Sequence, residues 1–411
     1  MKKTEQTSID FWLLVLFLFT LNFTSFLFFG NKLAIPTDLE FSYSPTVISL
    51  LQGKGYTVGG HFNTHHPPLF PALLAGIYWI THDWTFKNPV YPIVVLVLQS
   101  FSCGFIYLCG RELWRRNVGI VSALLLGLYP FFLVLTATKY AWNVMPFFIF
   151  IFYGFLALYW ETLKSDQWHL AGFSGFLLGL STLVWSGAIH LWLIFLIYLL
   201  TVGVKKKGLL RIFIIALFFL TGFLIPTLGW SFYVYQQTGK KIFVSSALAP
   251  TMIDGLIRHD YSKLRKYPLV ESAEAKREMG QLNEPKDILL LYQKELISNP
   301  VSTIKFFCYK AARPWFGTDA EKHENWILLI QIPYLLTGLW GLILSLRKRV
   351  EGAGLLFAII LYFWAMAFLV LSILRYMIPA MGILIIFAAV GILDILQKTH
   401  CLDRRRLSLP G

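Results

Sequence analysis

Charge is scarce in this chain: only 14% of its 411 residues are Asp, Glu, Lys or Arg, with 22 acids against 36 bases. With 56% hydrophobic residues and a mean hydropathy of +0.62, so few charges cannot cover a water-facing surface. A soluble globular fold is therefore excluded, and a polytopic membrane protein is implied. Cysteine is equally sparse. Cys103 and Cys109 lie inside one apolar run, Cys308 in a long loop and Cys401 in the tail, so no disulfide framework is implied. No CxxC pair, HExxH, GxSxG or glycine-rich phosphate loop occurs, and no charge falls in mid-span positions, as a proton relay or ion-coupled transporter would need. The first apolar run, preceded by Lys2 and Lys3, lacks a small-residue cleavage site and reads as an anchor, not a removable signal. The net charge of +14 sits largely in short loops and tails between apolar runs, where membrane topology explains it and nucleic acid is not needed.

What is present is a series of apolar runs at 11–30, 69–80, 89–110, 118–137, 144–160, 169–186, 189–204, 209–233, 326–346, 353–373 and 377–396. The run at 69–80 is too short to cross a hydrocarbon core of about 30 Å at about 1.5 Å per residue. If it spans, Arg115, Arg116, Lys205 to Lys207 and Arg347 to Arg349 fall outside, against the positive-inside rule. If it lies in the interface, all of them fall inside with Lys2, Lys3 and Arg404 to Arg406. The expectation is therefore an all-α polytopic protein of about ten transmembrane helices, both termini cytoplasmic, with interfacial helices on the outer face. Residues 1–411 read as a single membrane domain with two long outer loops, 31–88 and 236–323.

Within the first outer loop, the stretch from Pro36 to Pro71 places two carboxylates and three histidines just after a span. Pro36 fixes an extended entry, and side chains two apart on extended backbone share a face, so Asp38 and Glu40 can address one substrate. The bland alternative is that they solvate a loop. A short helix follows, with Ser42 or Ser44 as N-cap, Pro45 in its first turn and Gly53 and Gly55 ending it, then the His65-His66-Pro67-Pro68 turn. The threading also brings Lys139, Asn143, His190 and Arg375 to the outer face. Each alone reads as a snorkelling or helix-end residue; gathered at one face of an apolar protein they point to a site. In the second loop, residues 287–315 read as two amphipathic helices separated by Asn299-Pro300. Lys305, Lys310 and Arg313 of the second alternate with aromatics, the pattern of a helix on anionic membrane lipid headgroups. GFSGFLLGLS at 172–181 reads as close helix packing, not a cofactor site.

In this order the motifs Asp38-Leu39-Glu40, LLQGKGY, HHPPLFPALLAG, GRELWRRNVGIVSALLLGLYP, GWSFYVYQQTGKKIFVSS, NPVSTIKFFCYKAARPWF and Arg375-Tyr376 resemble the GT-C glycosyltransferases, in particular glycosyltransferase family 39 with its protein O-mannosyltransferases and aminoarabinosyltransferases. The resemblance covers nearly the whole chain. It implies an outer-face site in the plasma membrane, a polyprenyl-phosphate sugar as donor, an acceptor it does not name, and an aspartate matching Asp38 as the catalytic residue. Departures are informative. Thr138-Lys139 stands where relatives often carry a second acid, which makes a divalent metal doubtful and leaves no cofactor expected. Val184-Trp185-Ser186 stands where relatives have Thr-Arg-Pro. The expected reaction is an inverting hexosyl or pentosyl transfer, with Asp38 as base and Glu40 orienting the acceptor or tuning Asp38. His66, Arg375 and Lys139 meet the donor phosphate, and His65 and His190 contact substrate. The alternatives are a lipid-linked-sugar flippase or transporter without chemistry, and a structural membrane subunit. An internal repeat would favour the transporter, and none is evident.

Overall fold

The computed structural model describes residues 2–29, 42–83, 90–137, 144–165, 167–257, 267–319 and 321–407. These residues are overwhelmingly helical. In chain order the helices are α1 (Lys2–Phe29), α2 (Ser44–Leu51), α3 (Leu69–Thr81), α4 (Val90–Leu113), α5 (Arg116–Gly127), α6 (Pro130–Ala137), α7 (Val144–Lys164), α8 (Trp168–Val184) and α9 (Leu191–Lys207). Then come α10 (Leu209–Thr238), α11 (Leu248–Ile257), α12 (Pro268–Glu278), α13 (Pro285–Ser298), α14 (Pro300–Ala312), α15 (Glu324–Arg347), α16 (Ala353–Leu369) and α17 (Ile378–Leu407). One two-stranded antiparallel ribbon interrupts them, β1 (Thr57–Val58) against β2 (His61–Phe62), turning through Gly59 and Gly60 at φ of 58° and 82°. Both turn positions need left-handed backbone, which glycine adopts without a Cβ penalty.

By length and composition, seven described helices can cross a membrane: Gln6–Phe28, Val90–Leu113, Val144–Lys164, Ser186–Lys207, Leu209–Thr238, Glu324–Arg347 and Leu374–Thr399. The chain is a multi-pass all-α membrane protein, as its composition implied. Among the described residues, helices of full spanning length do not reach the expected count of about ten. The apolar run at 118–137 is broken between α5 and α6, because Pro130 opens a new helix and has no N–H to continue the old one. The runs at 169–186 and 353–373 give α8 and α16, each of 17 residues. At about 1.5 Å per residue such helices reach roughly 26 Å, short of a core of about 30 Å.

The chain forms two compact units. One comprises Met1–Val244, Tyr334–Ala358 and Gly382–Gly411; the other comprises Ser245–Pro333 and Ile359–Met381. In the first, α8 lies against α10 through glycines: a Cβ on Gly175 would run into the Phe219 carbonyl, and one on Gly222 into the Gly172 carbonyl. The glycine-rich stretch is thus a helix-packing seam, which lipid-embedded helices use because lipid supplies no hydrophobic drive between them. Buried aromatics Phe152, Phe155, Tyr159, Phe195 and Phe219 fill the adjoining core. Near the chain's start, buried Asp10 receives Arg116 Nε at 2.5 Å, Arg116 Nη2 at 2.8 Å and Tyr107 OH at 3.0 Å, joining α1, α4 and α5.

The second unit packs α11 to α14 around Met252, Leu256, Leu269, Val270, Ile288, Leu291 and Phe306, with Val370, Leu371 and Ile373. A capping box at Glu284 and Asp287, followed by Pro285, starts α13, and Asn299-Pro300 separates it from α14 as expected. The α14 side chains do not follow the expected pattern. Lys310 and Arg313 are 1% and 0% exposed, so the basic stripe expected to lie on headgroups is turned inward, and only Lys305 of the three is exposed. Their partners explain it, since Arg313 finds a buried carboxylate and Lys310 an aromatic wall.

Candidate functional site

Asp38, Glu40, Lys139 and Asn143 lie outside the described residues. The described part of the first loop begins with α2. Its first helical residue is Ser44, not an N-cap; Tyr43 precedes it without a side-chain cap, Pro45 occupies the first turn, and Gly53 follows at φ 71°.

The His65-His66 turn is built by three residues that reading the motifs did not single out. Asn63 is 7% exposed; its Nδ2 donates to Thr46 Oγ1 at 2.8 Å, and its Oδ1 accepts from the backbone N–H of His65 at 2.9 Å and of His66 at 3.3 Å. Such a side-chain-to-backbone turn is what asparagine forms two residues ahead, and it fixes the loop to α2. Tyr56 closes the other side, its hydroxyl donating to the carbonyls of His66 and Pro67, both at 3.0 Å. The third residue, Tyr43, places its ring 4.3 Å from the His66 ring and edge-on to Phe70 at 4.9 Å. Beneath, Tyr56, Leu183, Trp230, Val234 and Val244 form a buried cluster against which Phe62, Leu69 and Ile189 pack. Trp230 Nε1 donates to the Val244 carbonyl at 2.9 Å.

The two histidines stand 4.7 Å apart with rings at 86°. His65 is exposed, whereas His66 is half-buried. Burial first, and the neighbouring His65 second, pull the His66 imidazole down to about 3. It is therefore neutral across the physiological range, offering a hydrogen bond but no positive charge. His190 is exposed and directly precedes α9; Ile189 beside it belongs to the packing around Tyr56.

Arg375 belongs to the second unit, on a short 3₁₀ turn, Leu374–Met377. Its Nη2 lies 3.6 Å from Asp319 Oδ1, and its guanidinium carbon is 5.6 Å from the Tyr376 ring centre. The same unit holds a sealed ion pair: Arg313 Nη2 donates to Glu324 Oε1 at 3.0 Å and to the Thr318 carbonyl at 2.7 Å, while Arg313 Nη1 reaches the Ser372 carbonyl at 3.3 Å. The signal for Glu324 was an acid opening a span, a position where an unpaired carboxylate is costly.

Lys310 is buried without a carboxylate among its hydrogen bonds; its Nζ is 3.3 Å from Tyr292 OH and 6.0 Å from the Tyr292 and Phe368 ring centres. Burial, with Arg313 adding to it, lowers Lys310 from 10.5 to about 7. Between those two values the unfolded lysine keeps a proton that the folded one has released, so stability rises with pH across that window and is lost as pH falls toward 7. Lys310→Met is accordingly expected to raise the thermal midpoint of detergent-solubilised protein at pH 7, by less at pH 9. An equal midpoint at pH 7 would show that the amine is well solvated.

Among the described residues no three of His, Cys, Asp and Glu group closely enough to hold a metal ion.

Residues 65–230 match the family model described as dolichyl-phosphate-mannose-protein mannosyltransferase. The archaeal oligosaccharyltransferase AglB from Archaeoglobus fulgidus, solved with an inhibitory peptide and a dolichol-phosphate, shares the fold with a TM-score of 0.61 at 12% identity, over 98% of this chain and 52% of that one. The apo form of the A. fulgidus oligosaccharyltransferase gives 0.58 at 13% identity, over 95% of this chain and 52% of that one. The same enzyme tethered to an acceptor peptide also gives 0.58 at 13%, over 94% and 50%. This chain spans about half the length of these solved proteins. No curated protein matches it. The resemblance to the GT-C membrane glycosyltransferases thus stands on a family-model match and on the fold.

Proposed function

We propose that this chain is a membrane glycosyltransferase that moves a sugar from a polyprenyl-phosphate donor to an acceptor hydroxyl or amine in one inverting displacement. The observation that carries this reading is the match of residues 65–230 to a dolichyl-phosphate-mannose-dependent transferase family, a match that begins at the His65-His66-Pro67-Pro68 turn. The fold shared with a dolichol-phosphate-bound oligosaccharyltransferase supports the lipid-phosphate class of donor. The topology rule supports cytoplasmic termini in a plasma membrane and chemistry on the outer face.

The roles follow from the chemistry of each group. The Asp38 carboxylate takes the proton of the acceptor, whose oxygen or nitrogen bonds to the anomeric carbon as the bond from that carbon to the phosphate oxygen breaks. The electron pair leaves on the polyprenyl phosphate. Glu40 orients the acceptor. Arg375 and Lys139 supply positive charge for the phosphate, and His66, neutral, supplies a hydrogen bond. His65 and His190 contact substrate.

The test is purified protein in detergent with synthetic polyprenyl-phosphate sugars, loss of donor being followed by chromatography. Arg375→Ala is expected to raise the donor KM by roughly 10-fold to 100-fold, the value of one charge-assisted hydrogen-bonded contact. Arg375→Lys should recover part of it, because a point charge lacks the two-pronged geometry. Protein that binds every donor tested and consumes none, with or without candidate acceptors, would make the flippase or transporter the better reading.

A further inference from the structure

The α9–α10 hairpin turns within one residue. Gly208, at φ 82°, ends α9, and α10 begins at Leu209, its Ile212 N–H bonding back to the Gly208 carbonyl at 3.2 Å. Around that turn the chain reads Lys205-Lys206-Lys207-Gly208-Leu209-Leu210-Arg211, with four cations and no acid. Membrane topology accounts for cations near the end of a span, but it asks nothing of where their side chains go. Here they have places. Lys206 Nζ donates to both carboxylate oxygens of Glu351, at 2.6 and 2.5 Å, and Lys207 Nζ donates to the Ser165 carbonyl at 2.5 Å, just past the end of α7. One turn back from Lys207 the two helices close together: a Cβ on Gly203 would come within 2.5 Å of Ile212 Cδ1. The lysines are therefore carried on a braced tip.

A cleft lies between the ends of α7, α9 and α10. Leu163, Leu199, Val202, Ile212 and Ile215 make its apolar walls, and Lys206, Lys207 and Glu351 belong to its lining. Against the four cations of the turn the lining sets one carboxylate, so the balance is positive. Lys205 and Arg211 are exposed, and so are Leu209, Leu210 and Phe213, at 70%, 75% and 59%. In a multi-pass membrane protein, apolar side chains left so bare face acyl chains, and cations within the same turn stand at the depth of the headgroups. All these residues belong to the first unit.

We propose that this cleft binds a phospholipid with a net negative headgroup, its phosphate on the lysines of the α9–α10 turn and its acyl chains on the apolar walls and the exposed leucines beside them. A zwitterionic phospholipid carries the same phosphate together with a cation that the lysines repel; an anionic one brings no such cation. A lipid seated there braces the ends of α7, α9 and α10. None of the residues assigned to sugar transfer takes part, so the proposal stands apart from the transferase reading.

The probe is phosphatidylglycerol, titrated into full-length protein in non-ionic detergent and followed by the thermal midpoint, with native mass spectrometry to count bound lipid. Phosphatidylcholine and inorganic phosphate are the further arms. A ligand that binds only the folded state raises the midpoint with its occupancy. Phosphatidylglycerol is expected to raise it saturably, and phosphatidylcholine and phosphate much less. Lys205→Gln, at an exposed side chain, is expected to weaken phosphatidylglycerol binding about threefold to fivefold, the value of one lysine near a headgroup. Adding Lys206→Gln and Lys207→Gln should bring the loss beyond about tenfold, whereas arginine at all three positions keeps the charge and should bind as the wild type does. If the triple glutamine protein fails to fold, Lys205→Gln and the arginine variant decide the matter. Lys398→Gln removes a cation held by Asp394 on α17 and should leave binding unchanged. Equal stabilisation by phosphatidylcholine overturns the proposal, as does unchanged binding by Lys205→Gln protein. An equal loss in Lys398→Gln protein would assign the effect to overall charge and overturns it too. Stabilisation by inorganic phosphate as large as that by phosphatidylglycerol would make the turn an anion site without a lipid, which also overturns it.

Discussion

Asp38→Asn is expected to lower turnover of a polyprenyl-phosphate sugar by about 10² to 10⁴, the range that one positioned base supplies. The substitution keeps the side chain's shape and removes only its capacity to take a proton. A residue that merely solvates a loop tolerates it; a base does not. An extended entry after Pro36 would put Asp38 and Glu40 on one face, so Glu40→Gln is the internal control. If Glu40 orients the acceptor, that variant retains measurable turnover, and the two substitutions rank the pair. Donor loss by chromatography gives the rate, and calorimetric binding of polyprenyl monophosphate shows that the site is intact. Near-normal turnover by Asp38→Asn would remove it as the base and, with no other carboxylate as well placed in the sequence, would turn the argument toward transport.

The spans and the site were legible to different depths. Helix type and order followed from the apolar runs, and the run after the histidine turn forms a helix, Leu69–Thr81, as short as its sequence implied. Boundaries inside apolar sequence were harder. Pro130 splits one expected span, although hydropathy runs straight through it, because a proline's missing N–H matters to the backbone and not to transfer from water. The Asx turn at Asn63 uses partners two and three residues away, so it was readable in principle. Its anchor on Thr46, 17 residues back, was not. The reading of α14 failed for the same reason. Lys310 and Arg313 present a basic stripe in sequence, yet the carboxylate that draws Arg313 inward is 11 residues on, and the carbonyl it holds is 59 residues on. His66 followed its motif, but its neutrality comes from burial under Tyr43 and its environment, which no spacing encodes. Long-range burial, more than local pattern, separates the cations that hold the fold from the exposed ones.

That separation makes Glu324 the position where a small change should do most damage to the fold. Glu324→Ala is expected to destabilise the second unit by about 3–5 kcal/mol, the usual result of removing one partner of a buried pair and leaving the other charge unpaired. The loss is a large share of the roughly 5–15 kcal/mol that holds a typical domain. Arg313 has no retreat to water, since its side chain is fully buried, and the Thr318 N–H loses its acceptor as well. Two measurements follow it: the thermal midpoint of the purified protein, and limited proteolysis, which should open first between residues 245 and 333. Replacing both partners, Arg313→Met with Glu324→Leu, should recover much of the midpoint, because two apolar side chains leave no buried charge without a partner. The recovered protein should still bind polyprenyl monophosphate poorly. Its Arg375 turn has lost the Arg313 bond to the Ser372 carbonyl, and a cation whose backbone wanders cannot present both N–H groups to one phosphate. Full recovery of both stability and binding by the apolar pair would show that Arg313 and Glu324 only fill space. Recovery of stability alone would show that the Arg313–Glu324 pair is what holds the Arg375 turn in place.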